Sequence, residues 1–265
     1  MQLAFLGAGK MATAIARGLV LKQVVAADAI VASDPYPAAL DAFTATVGGR
    51  SARDNADAVA NADVVLLAMK PQDAGTALTS LHGSLDGKLV ISICAGLSIA
   101  RLSEWTGTER IVRVMPNTPA MVNLGASVFA PGAAVTDADR ALSRQILGAI
   151  GIVHEMPESQ LDAVTGVSGS GPAYVFEFVQ AMVDGAAAQG LDREQALELV
   201  VQTVAGAAEM LRQGLGTPEE LRNAVTSKGG TTAAGLQVMA DANFRGLISD
   251  VIRRATERSI ELGRG

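Results

Sequence analysis

The stretch LAFLGAGKMATAIARGLVL, Leu3 to Leu21, decides how the chain is read. Four apolar residues, Leu3 to Leu6, have the length of a buried strand. Gly7-Ala8-Gly9 then breaks the run ahead of an Ala-rich segment compatible with a helix to about Leu21. Glycines at such a turn let the backbone approach a pyrophosphate, whose charge then sits on free N–H groups at the helix N-terminus. A GxGxxA pattern alone also occurs in plain structural turns. At the first strand-to-helix turn of an alternating chain it reads as a dinucleotide-binding loop, with Gly7, Gly9, Lys10 and Met11 as cofactor contacts. No Gly-Lys-Ser/Thr sequence follows, which excludes a mononucleotide phosphate loop of that type.

The alternation continues downstream. The β-prone runs AIVAS, DVVLLAM, LVISICA, RIVRVM, ASVFA and GIVHEM recur up to about Met156, separated by helix-compatible segments. Such a pattern implies parallel strands joined by crossover helices. From Leu161 onward the β-prone runs stop and helical spacing takes over, as at Phe244, Leu247, Ile248, Val251, Ile252 and Ala255. The expected fold is α/β: an N-terminal Rossmann-like domain with a predominantly parallel sheet over 1–158, then an all-helical domain over 159–265. The strongly apolar helix from Gly171 to about Ala188 exposes few polar groups, so a second subunit is expected to bury part of it.

Composition removes several classes of function. With 49% hydrophobic and 18% charged residues, the 265-residue chain is expected to fold compactly. A net charge of -6 and the lack of a Lys/Arg run argue against nucleic acid as a partner and for a small molecule. Cys94 is the lone cysteine, and His82 and His154 stand apart, so neither a disulfide framework nor a metal site is expected. The start MQLAFLGAGK has no leader character, and the uncharged window Val114 to Thr136 contains three prolines. No membrane association and a reducing, cytoplasmic setting are therefore expected.

Several strand ends carry candidate chemistry. Ala32-Ser33-Asp34-Pro35 closes the second run, where a carboxylate ordinarily bonds a ribose 2′-hydroxyl and repels a 2′-phosphate. Asp34 thus favours NAD, Ser33 and Asn55 remain available to a phosphate, and a plain helix cap is the structural alternative for Asp34. Lys70, in Ala68-Met69-Lys70-Pro71, puts a cation at the carboxyl end of a buried strand, where open α/β sheets bind ligands, with a solvated loop lysine as the structural alternative. Cys94-Ala95-Gly96 leaves room for a nicotinamide or ribose, with Cys94 as a packed small hydrophobe and not a nucleophile. Pro116-Asn117-Thr118-Pro119 forms a rigid rim. Ser168-Gly169-Ser170-Gly171-Pro172 has the small residues and early proline of an ordinary helix start.

Taken in order, GAGKMA, AMKPQ, ICAG, MPNTP, SGSGPAY and TSKGGTTAAGL resemble the pyrroline-5-carboxylate reductases along essentially the whole chain, with SKGGTT as the most specific element. One departure is Ala240 after Met239, where the family more often has a polar residue. The resemblance implies hydride transfer from NADPH or NADH to a cyclic imine, 1-pyrroline-5-carboxylate, giving L-proline in the last step of proline biosynthesis. It implies a homo-oligomer built from dimers, with the site at the dimer interface. It also implies cofactor contacts from Ala68, Met69, Lys70, Pro71, Cys94, Ala95 and Gly96, and adenosine-side contacts from Ser33 and Asn55. Family members often prefer NADPH, but Asp34 stands where a hydroxyl helps hold the 2′-phosphate in some of them, which leaves the preference open.

The substrate's chemistry accounts for the signature. A small anionic imine needs its carboxylate held without large cations that would repel a protonated ring nitrogen. Gly229 and Gly230 expose backbone donors at a helix start, and Ser227 and Thr231 add hydroxyls. By its place in the motif, Thr232 is the catalytic hydroxyl expected at the ring nitrogen, with Asn117 on the substrate side. Two other readings compete with this one. A hydroxyacid dehydrogenase is expected to carry a lysine in the helix after Gly171, but AYVFEFVQAMVDGAAAQG has none. A non-enzymatic nucleotide-binding regulator has no use for SKGGTT.

Overall fold

A computed structural model describes residues 1–263, which fall into two compact units: residues 1–170 with 253–263, and residues 171–252. The strands of the first unit are β1 (Leu3–Leu6), β2 (Ile30–Ser33), β3 (Arg50–Ser51), β4 (Val64–Leu67), β5 (Leu89–Ser92), β6 (Ile111–Met115), β7 (Gly125–Pro131) and β8 (Gly151–Glu155). They form one sheet in the order β3-β2-β1-β4-β5-β6-β7-β8. β1, β4 and β5 are buried at every residue, as parallel strands covered on both faces must be. The crossovers are α1 (Lys10–Leu21), α2 (Pro37–Val47), α3 (Asn55–Val59), α4 (Pro71–Thr79) and α5 (Ile99–Thr106), while α6 (Asp137–Gly148) joins β7 to β8 and α7 (Leu161–Val164) follows β8.

Successive strand residues face opposite sides, so the unit has two cores. Leu3 and Phe5 join Ile15, Leu19, Phe43 and Phe129 on one face. Ala4 and Leu6 join Leu78, Leu81 and Leu102 on the other. The first three strands step one way from β1, and the next three step the other way from β4. A crevice therefore opens at the carboxyl ends of β1 and β4, where sheets of this kind bind ligands.

The parallel pattern ends at β7, which runs antiparallel to β6. Only residues 116–124 join the two strands, too short a connection for a crossover, so the chain reverses through the tight turn Thr118–Val122. The far edge is tied by Arg110, whose Nε and Nη2 donate to Asp139 at 2.9 and 2.6 Å. Residues beyond the sheet stay with this unit: Leu161 packs with Val128 and Ala130, and Ser259 Oγ donates to Asp162 at 2.7 Å. By packing, the chain divides at 170/171 and returns to the first unit at residue 253.

The second unit is all helix: α8 (Gly171–Ala188), α9 (Arg193–Arg212), α10 (Pro218–Ala224), α11 (Thr231–Asp241) and the first part of α12 (Phe244–Gly263). Its buried core is small, with Val183, Ala196 and Val200 between α8 and α9. Large apolar side chains lie on its surface, among them Phe176 at 68% exposure, Phe178, Leu199, Val201 and Leu247. An apolar surface of that extent on a helical unit marks an interaction face. No helix among the described residues is long and apolar enough to cross a membrane.

Candidate active site

The glycine loop is shaped by close backbone contact. Gly7 has φ +105°, and a Cβ there would lie 2.6 Å from the Ala68 carbonyl oxygen, so the loop rests directly on the end of β4. Gly7 N–H donates to the Ser33 carbonyl at 2.8 Å. Gly9, the residue that caps α1, has φ -71° and open space where a Cβ would stand. The first turn of α1 contains no acidic side chain and no side chain caps it, so its leading N–H groups face outward as donors for an anion.

Beside this loop lies a cavity of about 570 Å³, lined by Gly7, Gly9, Ser33, Asp34, Asn55, Ala68, Met69 and Lys70 together with Tyr36, Arg53 and Asp73. Asp34 is turned back towards the chain. Its Oδ2 accepts from Ala8 N at 2.8 Å and its Oδ1 from Tyr36 N at 2.9 Å, so the carboxylate braces the glycine loop. Ser33 is buried and its hydroxyl donates to Asn55 Oδ1 at 2.5 Å, which leaves the Asn55 amide nitrogen as the donor for a ligand. These groups fit the adenosine and pyrophosphate half of a dinucleotide: outward amides for the phosphates, and hydroxyl, amide and cation for the ribose end.

A second cavity of about 810 Å³ in the same unit is lined by Pro71, Ala95 and Gly96 together with Trp105, Thr165 and Ser259. Gly96 has φ +77°, and its Cβ position lies 3.7 Å from the backbone at Leu262 and Gly263. The expected cofactor residues are thus divided between two neighbouring openings on β4 and β5. Three depart from the group. Met11 packs against the core through its side chain. Lys10 lines a separate depression with Thr13 and Arg17. Cys94 is buried, its thiol donating to the carbonyls of Leu67 and Met69, and burial pushes its pKa up to about 11. Such a thiol is inert at neutral pH, and Cys94 lines neither of the two cavities.

Asn117 is engaged within the protein. Its Nδ2 donates to the Ser168 carbonyl at 3.2 Å and its Oδ1 accepts from Ala126 N at 2.8 Å. Ser168 lies in a π-helical turn, Thr165–Gly169, that leads into α8. A wider turn displaces helix carbonyls from their usual partners, and Asn117 satisfies one of them. The residue therefore pins the proline-flanked rim to this turn.

In the second unit, SKGGTT forms the approach to α11. Gly229 has φ +71°, and Gly230 N–H donates to the Ser227 carbonyl at 3.0 Å. A Cβ at Gly230 would collide with the Ser227 hydroxyl. α11 then starts at Thr231 with no side-chain cap and no acid in its first turn. Ser227, Gly229 and Thr231 are exposed, and Thr232 is half-buried one residue into the helix. The signature therefore presents open backbone donors beside three hydroxyls.

Comparison with known proteins bears directly on this arrangement. Over 266 residues the chain is 42% identical to a pyrroline-5-carboxylate reductase of Methanosarcina acetivorans, covering 99% of this chain and 98% of the relative. The chain belongs to the pyrroline-5-carboxylate reductase family. A family model described as pyrroline-5-carboxylate reductase dimerisation matches residues 158–262, and one described as NADP oxidoreductase coenzyme F420-dependent matches residues 2–96. A reductase of this family from Coxiella burnetii has the same fold at TM-score 0.92 and 34% identity, covering 98% of each chain. One from Plasmodium falciparum with NADP bound gives TM-score 0.90 and 32% identity over 99% of this chain and 98% of that one.

Tyr36, Arg53 and Asp73, none of them expected from the sequence, also line the first cavity. Arg53 carries no signal of its own in the sequence, standing beside Asp54 just past a two-residue exposed strand.

Proposed function

We infer that this enzyme reduces 1-pyrroline-5-carboxylate to L-proline with NAD(P)H, the last step of proline biosynthesis, and that it does so in the cytoplasm. The observation that carries the reading is the start of α11, where glycine-exposed amides and hydroxyls stand without any neighbouring acid in the first turn. A small carboxylate is bound by such amides through their dipole and N–H groups, leaving no large cation beside a protonated ring nitrogen. Gly229 and Gly230 let the carboxylate approach, and Ser227 and Thr231 add hydrogen bonds.

When bound, the nicotinamide supplies the hydride for the imine carbon. The chain's own groups supply position. Thr232 meets the ring nitrogen, where its hydroxyl orients the protonated imine or relays a proton from water, being too weak an acid to act alone near neutral pH. Ala95 and Gly96 leave space at the end of β5, and Asn117 fixes the rim between that region and the π-helical turn. Holding two reactants in register is worth several orders of magnitude in rate without any covalent intermediate.

The two parts of the site meet across a dimer interface, with the Rossmann unit of one protomer completed by α11 of its partner, and such dimers build the larger assembly. The thin core and apolar surface of the second unit support this arrangement. The test is oxidation of NADPH or NADH by the purified protein, dependent on pyrroline carboxylate, with proline identified by chromatography. No turnover with either nucleotide would overturn the reading.

A further inference from the structure

We propose that Arg53 makes this enzyme prefer NADPH over NADH, by holding the cofactor's 2′-phosphate at the rim of the first cavity. The inference rests on the reductase reading only in taking a nicotinamide dinucleotide as the ligand of that cavity.

Arg53, Ser33, Asp34, Tyr36 and Asn55 line the same opening. The Arg53 side chain is 85% exposed, and its one ion pair among the described residues runs through Nε to Asp57 at 3.5 Å. Its two terminal nitrogens therefore carry the donors left for a ligand, in the planar fork that suits a phosphate dianion. A ribose 2′-hydroxyl offers nothing comparable to this cation. A 2′-phosphate offers both charge and acceptors.

The sequence alone made Asp34 the obstacle to a phosphate, but its surroundings give it another task. Each of its oxygens already accepts a backbone N–H, from Ala8 and from Tyr36, so its charge is engaged on the loop side. Asp54, the next acid on the rim, is likewise occupied, accepting from Asp57 N at 2.8 Å as the cap of α3. The Asn55 amide is a further donor at this opening, set by its bond from Ser33. Cation and amide thus flank one end of the cavity, and the two acids beside them are already bonded to backbone.

The experiment is calorimetric titration of the intact enzyme with NADP+ and with NAD+, for wild type, Arg53→Gln and Arg53→Lys. Wild type should bind NADP+ more tightly than NAD+. Arg53→Gln should weaken NADP+ about tenfold, equal to about 1.4 kcal/mol, while NAD+ changes by less than about twofold. Arg53→Lys should recover part of the loss, as a point charge without the fork. Added salt should narrow the gap between wild type and Arg53→Gln, because the contact is exposed. Equal weakening of both nucleotides, no weakening of NADP+, or a wild type that binds NAD+ as well as NADP+ would each overturn the proposal. Because these titrations contain no imine, a failure to reduce pyrroline carboxylate would sink the reductase reading and leave this one standing.

Discussion

Replacing Gly7 and Gly9 by alanine, one at a time, separates two tasks of the glycine loop. At Gly7 the new methyl would meet Ala68 O at 2.6 Å, Ala68 C at 2.7 Å and Met69 N at 2.9 Å, all of them backbone that cannot rotate away. The positive φ adds about 1–2 kcal/mol for an L-residue, and displacing the wall adds roughly 1–3 kcal/mol. A total near 3 kcal/mol lowers the melting midpoint by roughly 6–12 °C for a chain of this size. At Gly9 the methyl meets nothing within 4 Å, and φ is -71°. Folding should therefore be unharmed or favoured by about 0.4–1 kcal/mol. The same methyl occupies the space through which a pyrophosphate reaches the start of α1, so NADP+ affinity should fall at least about tenfold. Thermal melts and NADP+ titrations on both variants check this. A Gly7→Ala protein that melts with wild type, or a Gly9→Ala protein that binds NADP+ as wild type does, would refute the reasoning.

Thr232→Val keeps the shape of the side chain and removes its hydroxyl; turnover should drop by about 10²-fold or more with NADP+ affinity unchanged, and undiminished turnover would remove Thr232 from the mechanism. Asp34→Asn turns one of two carboxylate acceptors into a donor facing a backbone N–H. Affinity should then fall by a similar factor for NADP+ and NAD+, about tenfold, whereas a selective gain for NADP+ would show that charge repulsion dominates. Asp139 is held at a pKa of about 2, first by the Arg110 hydrogen bonds, against burial, with the Thr136 N–H and hydroxyl assisting. Because the folded value is depressed below the ordinary 3.8, the stabilisation is present above about pH 4 and is lost as pH falls towards 2. The Asp139 side chain is 3% exposed but that of Arg110 is 35% exposed. Allowing for solvent screening, Asp139→Asn should cost about 1–2 kcal/mol at neutral pH. Melts in an acid series should show that difference shrinking below pH 4, and a constant difference would count against the pair.

The buried centre of the sheet was plain in the sequence because parallel strands covered on both faces read as unbroken apolar runs. Leu3–Leu6, Val64–Leu67 and Leu89–Ser92 are of this kind. β3 escaped because it is two exposed residues, Arg50 and Ser51, with no apolar signal. The reversal at β7 escaped because strand direction is set by the length and path of the connection, not by strand composition. At the site, the glycine loop and the start of α11 were legible because glycine has few other reasons to stand there. The partners of Asp34 and Asn117 were not legible, since both bond to backbone groups far along the chain, and a side chain's type does not reveal whether its capacity is already used. Arg53 was hidden for the opposite reason: beside Asp54 in the sequence it looks like any exposed charge pair, and only the fold brings it to the rim that Ser33 reaches from another strand.

The return of residues 253–263 to the first unit has a consequence for how the enzyme is made. Gly96 rests against backbone at Leu262 and Gly263, and Ser259 joins Asp162, so part of the wall around the second cavity comes from residues translated after all of 171–252. During synthesis the sheet and the glycine loop have every residue they need while that wall is still missing. A nascent chain halted at residue 170 should therefore hold the adenosine end of a dinucleotide while leaving the nicotinamide end in water.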